Sequence, residues 1–202
     1  MLAKKILFAA WACHNKNYTS YQAWYIPLKK VFKEVKTFDP QETMYRYGKD
    51  EMNTRFLAMV KREQPDYVFL WLIYDEFTID TILHIKKISP QSKVVNFFGD
   101  DDALFYSSSR YYGKIFDGAL VNQRDFLSSY KREGIPNVFI TYWVNMDHFR
   151  PLKLTKKYDV TFIGTPKRDR YEHIMFLLQQ GIDVRVFGSG WERYPELRQR
   201  YG

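Results

Sequence analysis

"PDYVFLWLIYD", residues 65–75, decides the fold. From Tyr67 to Tyr74 the run is apolar or aromatic throughout, with no polar residue at alternate positions. A strand with one face in water alternates apolar and polar residues. An unbroken run of this length instead reads as a strand covered on both faces, as in a parallel sheet between helices. Outward from it, "KILFAAWA" (5–12), "KVVNFF" (93–98), "DGALVN" (117–122) and "NVFITYW" (137–143) read as further strands, and "KTFDP" (36–40) as a short one ended by proline. Between them, residues 21–35, 49–64, 76–89, 103–116 and 123–135 carry helical spacing. The third of these places Ile79, Ile82, Leu83 and Ile85 or Ile88 on one side, and the last closes on Gly134 and Pro136, ordinary helix stop signals. Strand–helix alternation of this kind predicts an α/β fold with a doubly wound, Rossmann-like parallel sheet.

The rhythm breaks at "NMDHFRPLKLTKK" (145–157), a polar stretch without periodicity that reads as a linker. A fresh unit follows: strand 158–164, helix 166–181, strand 182–188. The expected organisation is a Rossmann-like domain over 1–150. Residues 151–202 are expected to be a linker and the first β-α-β of a second, incomplete Rossmann-like unit. Two strands and one or two helices do not close such a domain, so either a truncated unit or a remnant packed on the first domain is expected there.

Hydrophobic residues make up 46% and charged residues 27%, which fits a globular chain and excludes a disordered one. The one cysteine, Cys13, excludes an intramolecular disulfide and suits a reducing compartment. "MLAKKILFAAWACHNKN" lacks a small-residue cleavage site and reads as a buried first strand, so a cytoplasmic location is expected. A net charge of +8 fits nucleic acid, an anionic membrane surface or phosphorylated small molecules. The basic residues are scattered over helices, as in "LKKVFKEVK", and no nucleic-acid motif stands in the sequence. Nucleic acid is therefore not expected, while peripheral contact with an anionic membrane surface stays open.

Three stretches carry candidate chemistry. "GTPKRDR" (164–170) turns a strand into a helix, where backbone N–H groups and the helix dipole suit a phosphate. Lys167, Arg168 and Arg170 would add charge to a diphosphate; the alternative is an ordinary basic first turn. "FGSGW" (187–191) has Gly188 and Gly190, which let a ligand approach the backbone, or which serve only a strand-end turn. "KVVNFFGDDDALFY" (93–106) ends a strand in Asp100, Asp101 and Asp102. They read as a metal site, as an acceptor or catalytic contact at the crevice mouth, or as a helix N-cap in a solvated loop. His14 and Glu76 follow two other strand ends. Phe105, Tyr106, Tyr111 and Tyr112 form an aromatic cluster suited to core packing or to stacking on a sugar. No Cys/His metal spacing and no P-loop is present.

Along the whole chain in order, and sharply from about residue 134 to 191, the sequence resembles a known family. The "D-V-x-F-I-G" strand (Asp159 to Gly164), the basic turn (Lys167 to Arg170), the "G-I-D-V-R-V-x-G-x-G-W" segment (Gly181 to Trp191) and the "D-x-F-x-P" linker (Asp147 to Pro151) are similar to GT-B glycosyltransferases. The likeness is nearest to the bacterial group named for a spore-maturation protein. It implies an acceptor domain over 1–150 and the start of a nucleotide-sugar donor domain after it. It also implies metal-independent transfer of a sugar to a hydroxyl of a carbohydrate or other acceptor, with no cofactor. By the same resemblance Gly164, Lys167, Arg168, Arg170, Gly188 and Trp191 would hold the donor, and Asp100, Asp101 or His14 would act as base. The family's later acidic motif has no counterpart within the 202 residues. The alternative is a non-catalytic GT-B module that binds an acceptor, a partner or an anionic surface.

Overall fold

The computed structural model describes residues 1–142, 144–167 and 169–201. It divides into two compact units, Met1–Arg150 and Pro151–Gly202. The first is built in the order β1 (Leu2–Ala10), α1 (Ile26–Val31), β2 (Phe32–Phe38), α2 (Pro40–Tyr47), α3 (Lys49–Glu63), β3 (Tyr67–Trp71), α4 (Ile79–Ile88) and β4 (Lys93–Phe98). It continues with α5 (Asp101–Leu104), α6 (Arg110–Tyr112), β5 (Gly118–Val121), α7 (Leu127–Arg132) and β6 (Val138–Ile140). The strands form one six-stranded sheet in the order β2-β1-β3-β4-β5-β6, and every neighbouring pair is parallel.

The unbroken apolar runs follow from helices on both faces. Leu7, Ala9, Val68, Leu70 and Val94 meet Met52, Phe56 and Val60 of α3 and Ile82 and Ile85 of α4. Ile6, Phe8, Ala10, Phe69 and Phe97 meet Trp24, Tyr25 and Leu28 on the other side. Alternate residues of β1 and β3 therefore face opposite helix layers, and both sets must be apolar. In α4 the apolar side is narrower than its spacing suggests. Ile82 and Ile85 are buried, whereas Ile79 and Leu83 remain about half exposed at 46% and 45%.

The helix expected over 21–35 is shorter. A π-helical turn spans Ser20–Tyr25, α1 ends at Val31, and Phe32–Phe38 pairs with β1. Val35 and Phe38 lie three apart and pack against opposite faces of the sheet, as a strand requires. A helix would have placed them on one side. Pairing with β1 overrides the local spacing.

The second unit contains β7 (Val160–Ile163), α8 (Arg170–Gln179) and β8 (Val184–Phe187), with short 3-10 turns at Trp191–Arg193 and Pro195–Arg200. β7 and β8 are parallel. The core comprises Ile174, Val184, Val186, Trp191 and Leu197. Among the described residues no helix is long and apolar enough to cross a membrane.

Candidate functional site

In a doubly wound sheet the connections leave neighbouring strands in opposite directions at one point, and a crevice opens there beyond the carboxyl ends. In this sheet the point lies between β1 and β3, since β1 leads outward to β2 and β3 leads the other way to β4. A cavity of about 340 Å³ opens there. Trp11 lines it from beyond β1, and Trp71, Leu72, Ile73 and Tyr74 from the end of β3 and the loop after it. Asn96, Phe98, Gly99 and Asp100 line it from β4 and its end. Tyr18, Thr19 and Ser20 close one side, and Leu104, Ser108, Ser109 and Tyr112 another.

Two departures from regular helix build these sides. A π-helical turn spans Ser20–Tyr25 and a second spans Phe105–Ser109. The wider turn re-aims side chains, and such turns recur at functional sites. Ser20 Oγ donates to the Trp11 carbonyl at 2.6 Å, fixing the segment after β1. Tyr112 Oη donates to the Phe77 carbonyl at 3.0 Å.

The loop after β3 is held by buried polar groups. Glu76 is 4% exposed. Its Oε1 accepts from the Ile73 amide at 3.1 Å and from Gln41 Nε2 at 3.2 Å, and its Oε2 accepts from the Tyr74 amide at 3.0 Å. Asn53 of α3 donates to the Glu76 carbonyl at 3.3 Å and accepts from the Thr78 amide at 3.2 Å. Asn96, fully buried in β4, accepts from the Leu72 amide at 3.4 Å. Chain leaving a sheet has no ladder partners, so its buried amides need side-chain acceptors. Glu76→Ala removes an acceptor from three donors. It is expected to cost ~2–4 kcal/mol and to lower the Tm of the first unit by roughly 5–15 °C, while Glu76→Gln costs less than half as much. Thermal unfolding followed by circular dichroism measures this. Equal losses for Ala and Gln would mean that these bonds do not hold the loop.

The three aspartates separate. Asp100 is exposed and lines the cavity. It stands at the N-cap of α5, yet its carboxylate makes no capping bond; its carbonyl accepts from the Ala103 and Leu104 amides instead. The N-cap reading of that side chain is thus corrected. Asp101 is 1% exposed and does not line the cavity. Tyr130 Oη donates to its two carboxylate oxygens at 3.1 and 3.0 Å. Burial pushes the Asp101 carboxyl up, against the hydrogen bonds from Ser109 and Tyr130. Asp101, expected at the base position, is buried here and anchors α5 and the π-helical turn to α7. Asp102 is exposed, and its amide donates to Gln123 Oε1 at 3.1 Å. Among the described residues no group of three or more His, Cys, Asp or Glu side chains is placed to hold a metal ion.

His14 is exposed, lies 3.2 Å from Thr37 Oγ1 through its Nδ1, and is absent from the cavity wall. The structure does not bring it together with Asp100. The chain turns sharply after β1, with Ala12 at φ 50° and its amide held by Asp39 Oδ2 at 2.7 Å, and this carries residue 14 toward β2. Nearby, burial pushes the Cys13 thiol up to about 12, which leaves it an unreactive core group. Of the aromatic cluster, Tyr112 reaches the cavity and Phe105 is core, while Tyr106 and Tyr111 are exposed outside the wall.

In the second unit, Lys167 is exposed in the turn between β7 and α8. Arg170 Nη1 donates to the Thr165 carbonyl at 2.9 Å, so that guanidinium braces the turn. Arg168 lies outside the described residues. Trp191 has no exposed surface, and its Nε1 donates to the Gly164 carbonyl at 2.6 Å. Trp191, expected among the donor residues, holds the turn from within the core. Gly188, at φ +117°, would place a Cβ 2.7 Å from the Gly164 carbonyl oxygen. The glycine there is required by the close approach of two backbones, not by a ligand.

Trp11, Tyr18, Asn96, Ser108 and Ser109 were not singled out from the sequence. Asn96 alone left a signal, a single amide inside the apolar run "KVVNFF".

No family model matches the sequence, and no curated protein matches it. Among solved structures the chain is similar to the apo form of the lipopolysaccharide outer core galactosyltransferase WaaB. The TM-score is 0.56 at 12% identity, over 98% of this chain and 67% of that one. It is also aligned with a sugar ABC transporter from Yersinia enterocolitica subsp. enterocolitica 8081, at 11% identity over 96% of this chain and 68% of that one. The TM-score there is 0.35, too low to carry an argument. The first likeness is one of fold: a six-stranded parallel Rossmann-like sheet flanked by helices.

Proposed function

We propose that the chain takes part in glycosyl transfer of the GT-B type, with sequence motifs nearest to the spore-maturation-protein-like group. The observation that carries this reading is Asp100, a carboxylate uncommitted to capping, in the wall of a cavity at the strand ends where β1 and β3 diverge. The shared fold with a galactosyltransferase supports it. In this reading the first unit holds the acceptor and the second the diphosphate of a nucleotide-sugar. The acceptor oxygen attacks the anomeric carbon as the bond from that carbon to the diphosphate oxygen breaks. The electron pair leaves with the nucleoside diphosphate, and Asp100 takes the acceptor proton. Lys167, with the backbone-bracing Arg170, offsets the charge on the leaving group without a metal.

Calorimetric titration of the whole chain with UDP-, GDP-, ADP- and TDP-hexoses tests the donor half. At least one is expected to bind with a Kd of roughly 1 µM to 1 mM. Lys167→Ala should weaken that binding by about tenfold, with the circular dichroism spectrum unchanged. If no nucleotide-sugar binds, the transferase reading fails and a non-catalytic binding module takes its place.

A further inference from the structure

We propose that the cavity beside Asp100 accepts a neutral or cationic ring compound and rejects anions; this rests on the reading of that cavity as the acceptor site. The chain has 31 Lys and Arg against 23 Asp and Glu, yet none of the described residues lining the cavity is Lys, Arg or His. Asp100 is the one charged residue among the described lining residues. Arg110 follows Ser109 of the wall in sequence, but its guanidinium is bonded to Tyr111 and lies 3.8 Å from Glu133. The rest of the wall is mainly aromatic and hydroxyl-bearing.

An anion in this space sheds water, meets a carboxylate and finds no counter-charge among the described lining residues. A neutral ring meets the aromatic side chains of Trp11, Trp71 and Tyr74, and the hydroxyl of Ser108 to pair with its own. An ammonium group gains both the aromatic faces and Asp100. A groove of about 570 Å³ continues on the other side of Tyr18 and Thr19 and carries His148.

Three probes that differ only at C6 test this: 4-nitrophenyl β-D-glucopyranoside, the corresponding β-D-glucuronide, and the 6-amino-6-deoxy glucoside. Binding is followed by ligand-observed NMR and calorimetry on the whole chain, without any nucleotide-sugar. The neutral probe is expected to bind at least about tenfold tighter than the glucuronide, and the amine no more weakly than the neutral probe. Asp100→Asn should bring the neutral-to-glucuronide ratio below about threefold. Tyr74→Ala, at an exposed position of the wall, should weaken the neutral probe and so place it in this cavity. Glucuronide binding as tight as the neutral probe, an unchanged ratio in Asp100→Asn, an unchanged affinity in Tyr74→Ala, or no binding by any probe overturns the inference. Binding that lacks the charge preference overturns this inference alone. The transferase reading fails separately, in the nucleotide-sugar titration.

Discussion

Asp100→Asn is expected to lower the rate of sugar transfer by a factor of ~10²–10⁴ while leaving nucleotide-sugar affinity unchanged. Asparagine keeps the shape of the side chain and one acceptor oxygen, so an acceptor hydroxyl is still oriented. It cannot take up the proton that hydroxyl must lose. The fold should tolerate the change, because the start of α5 is capped by the carbonyl of residue 100 and not by its side chain. Asp101 offers no substitute, being buried against Tyr130. His14 offers none either, since it is directed to Thr37 outside the cavity. Single-turnover measurements with saturating donor separate the chemical step from binding. A fall of less than about tenfold would remove Asp100 from the role of base. A parallel loss of donor affinity would point to a disturbed fold instead.

Trp191→Ala should unfold the second unit and leave the first intact. The indole is fully buried and meets Phe162 edge-on at 5.7 Å, with Tyr194 at 5.9 Å. It also carries the hydrogen bond to the Gly164 carbonyl. Truncating a buried tryptophan costs ~3–5 kcal/mol. A unit as short as residues 151–202 has, at 0.05–0.15 kcal/mol per residue, only ~3–8 kcal/mol of stability to lose. Its buried core otherwise rests on Ile174, Val184, Val186 and Leu197. Limited proteolysis of the whole chain, read by intact mass, should show cleavage after residue 150 and survival of a fragment close to residues 1–150. Survival of the second unit under conditions that spare the wild type would mean that its core does not depend on the indole. Donor binding should vanish with this unit, while neutral probes still bind the cavity of the first.

Much of this fold was legible because the relevant signals are local. "PDYVFLWLIYD" reports burial on both faces whatever its neighbours are, and Gly134 ends its helix by its own backbone freedom, at φ +74°. The break after residue 145 was visible as lost periodicity. The reading failed where a distant partner decides. Residues 32–35 carry helical spacing, but the edge of β1 takes them as a strand. Trp191 and Gly188 sit in a turn that looks built for a ligand. Their chemistry is consumed by Gly164, more than twenty residues earlier in the chain.

The sequence by itself determined the class of fold, the parallel sheet, the division near residue 150 and the position of Asp100 at a strand end. Each depends on the burial or backbone preference of a few consecutive residues. Only the tertiary structure decided which side chains share a cavity. The order β2-β1-β3-β4-β5-β6 brings residues 11, 18, 71, 96, 100 and 109 around one space and sends His14 elsewhere. It also decided that Asp101 and Glu76 are buried and bonded while Asp100 stays exposed. Neighbouring carboxylates look alike in one dimension. Their solvation and partners are set by chain segments far away in sequence, and those determine whether a group meets a substrate or holds up the wall beside it.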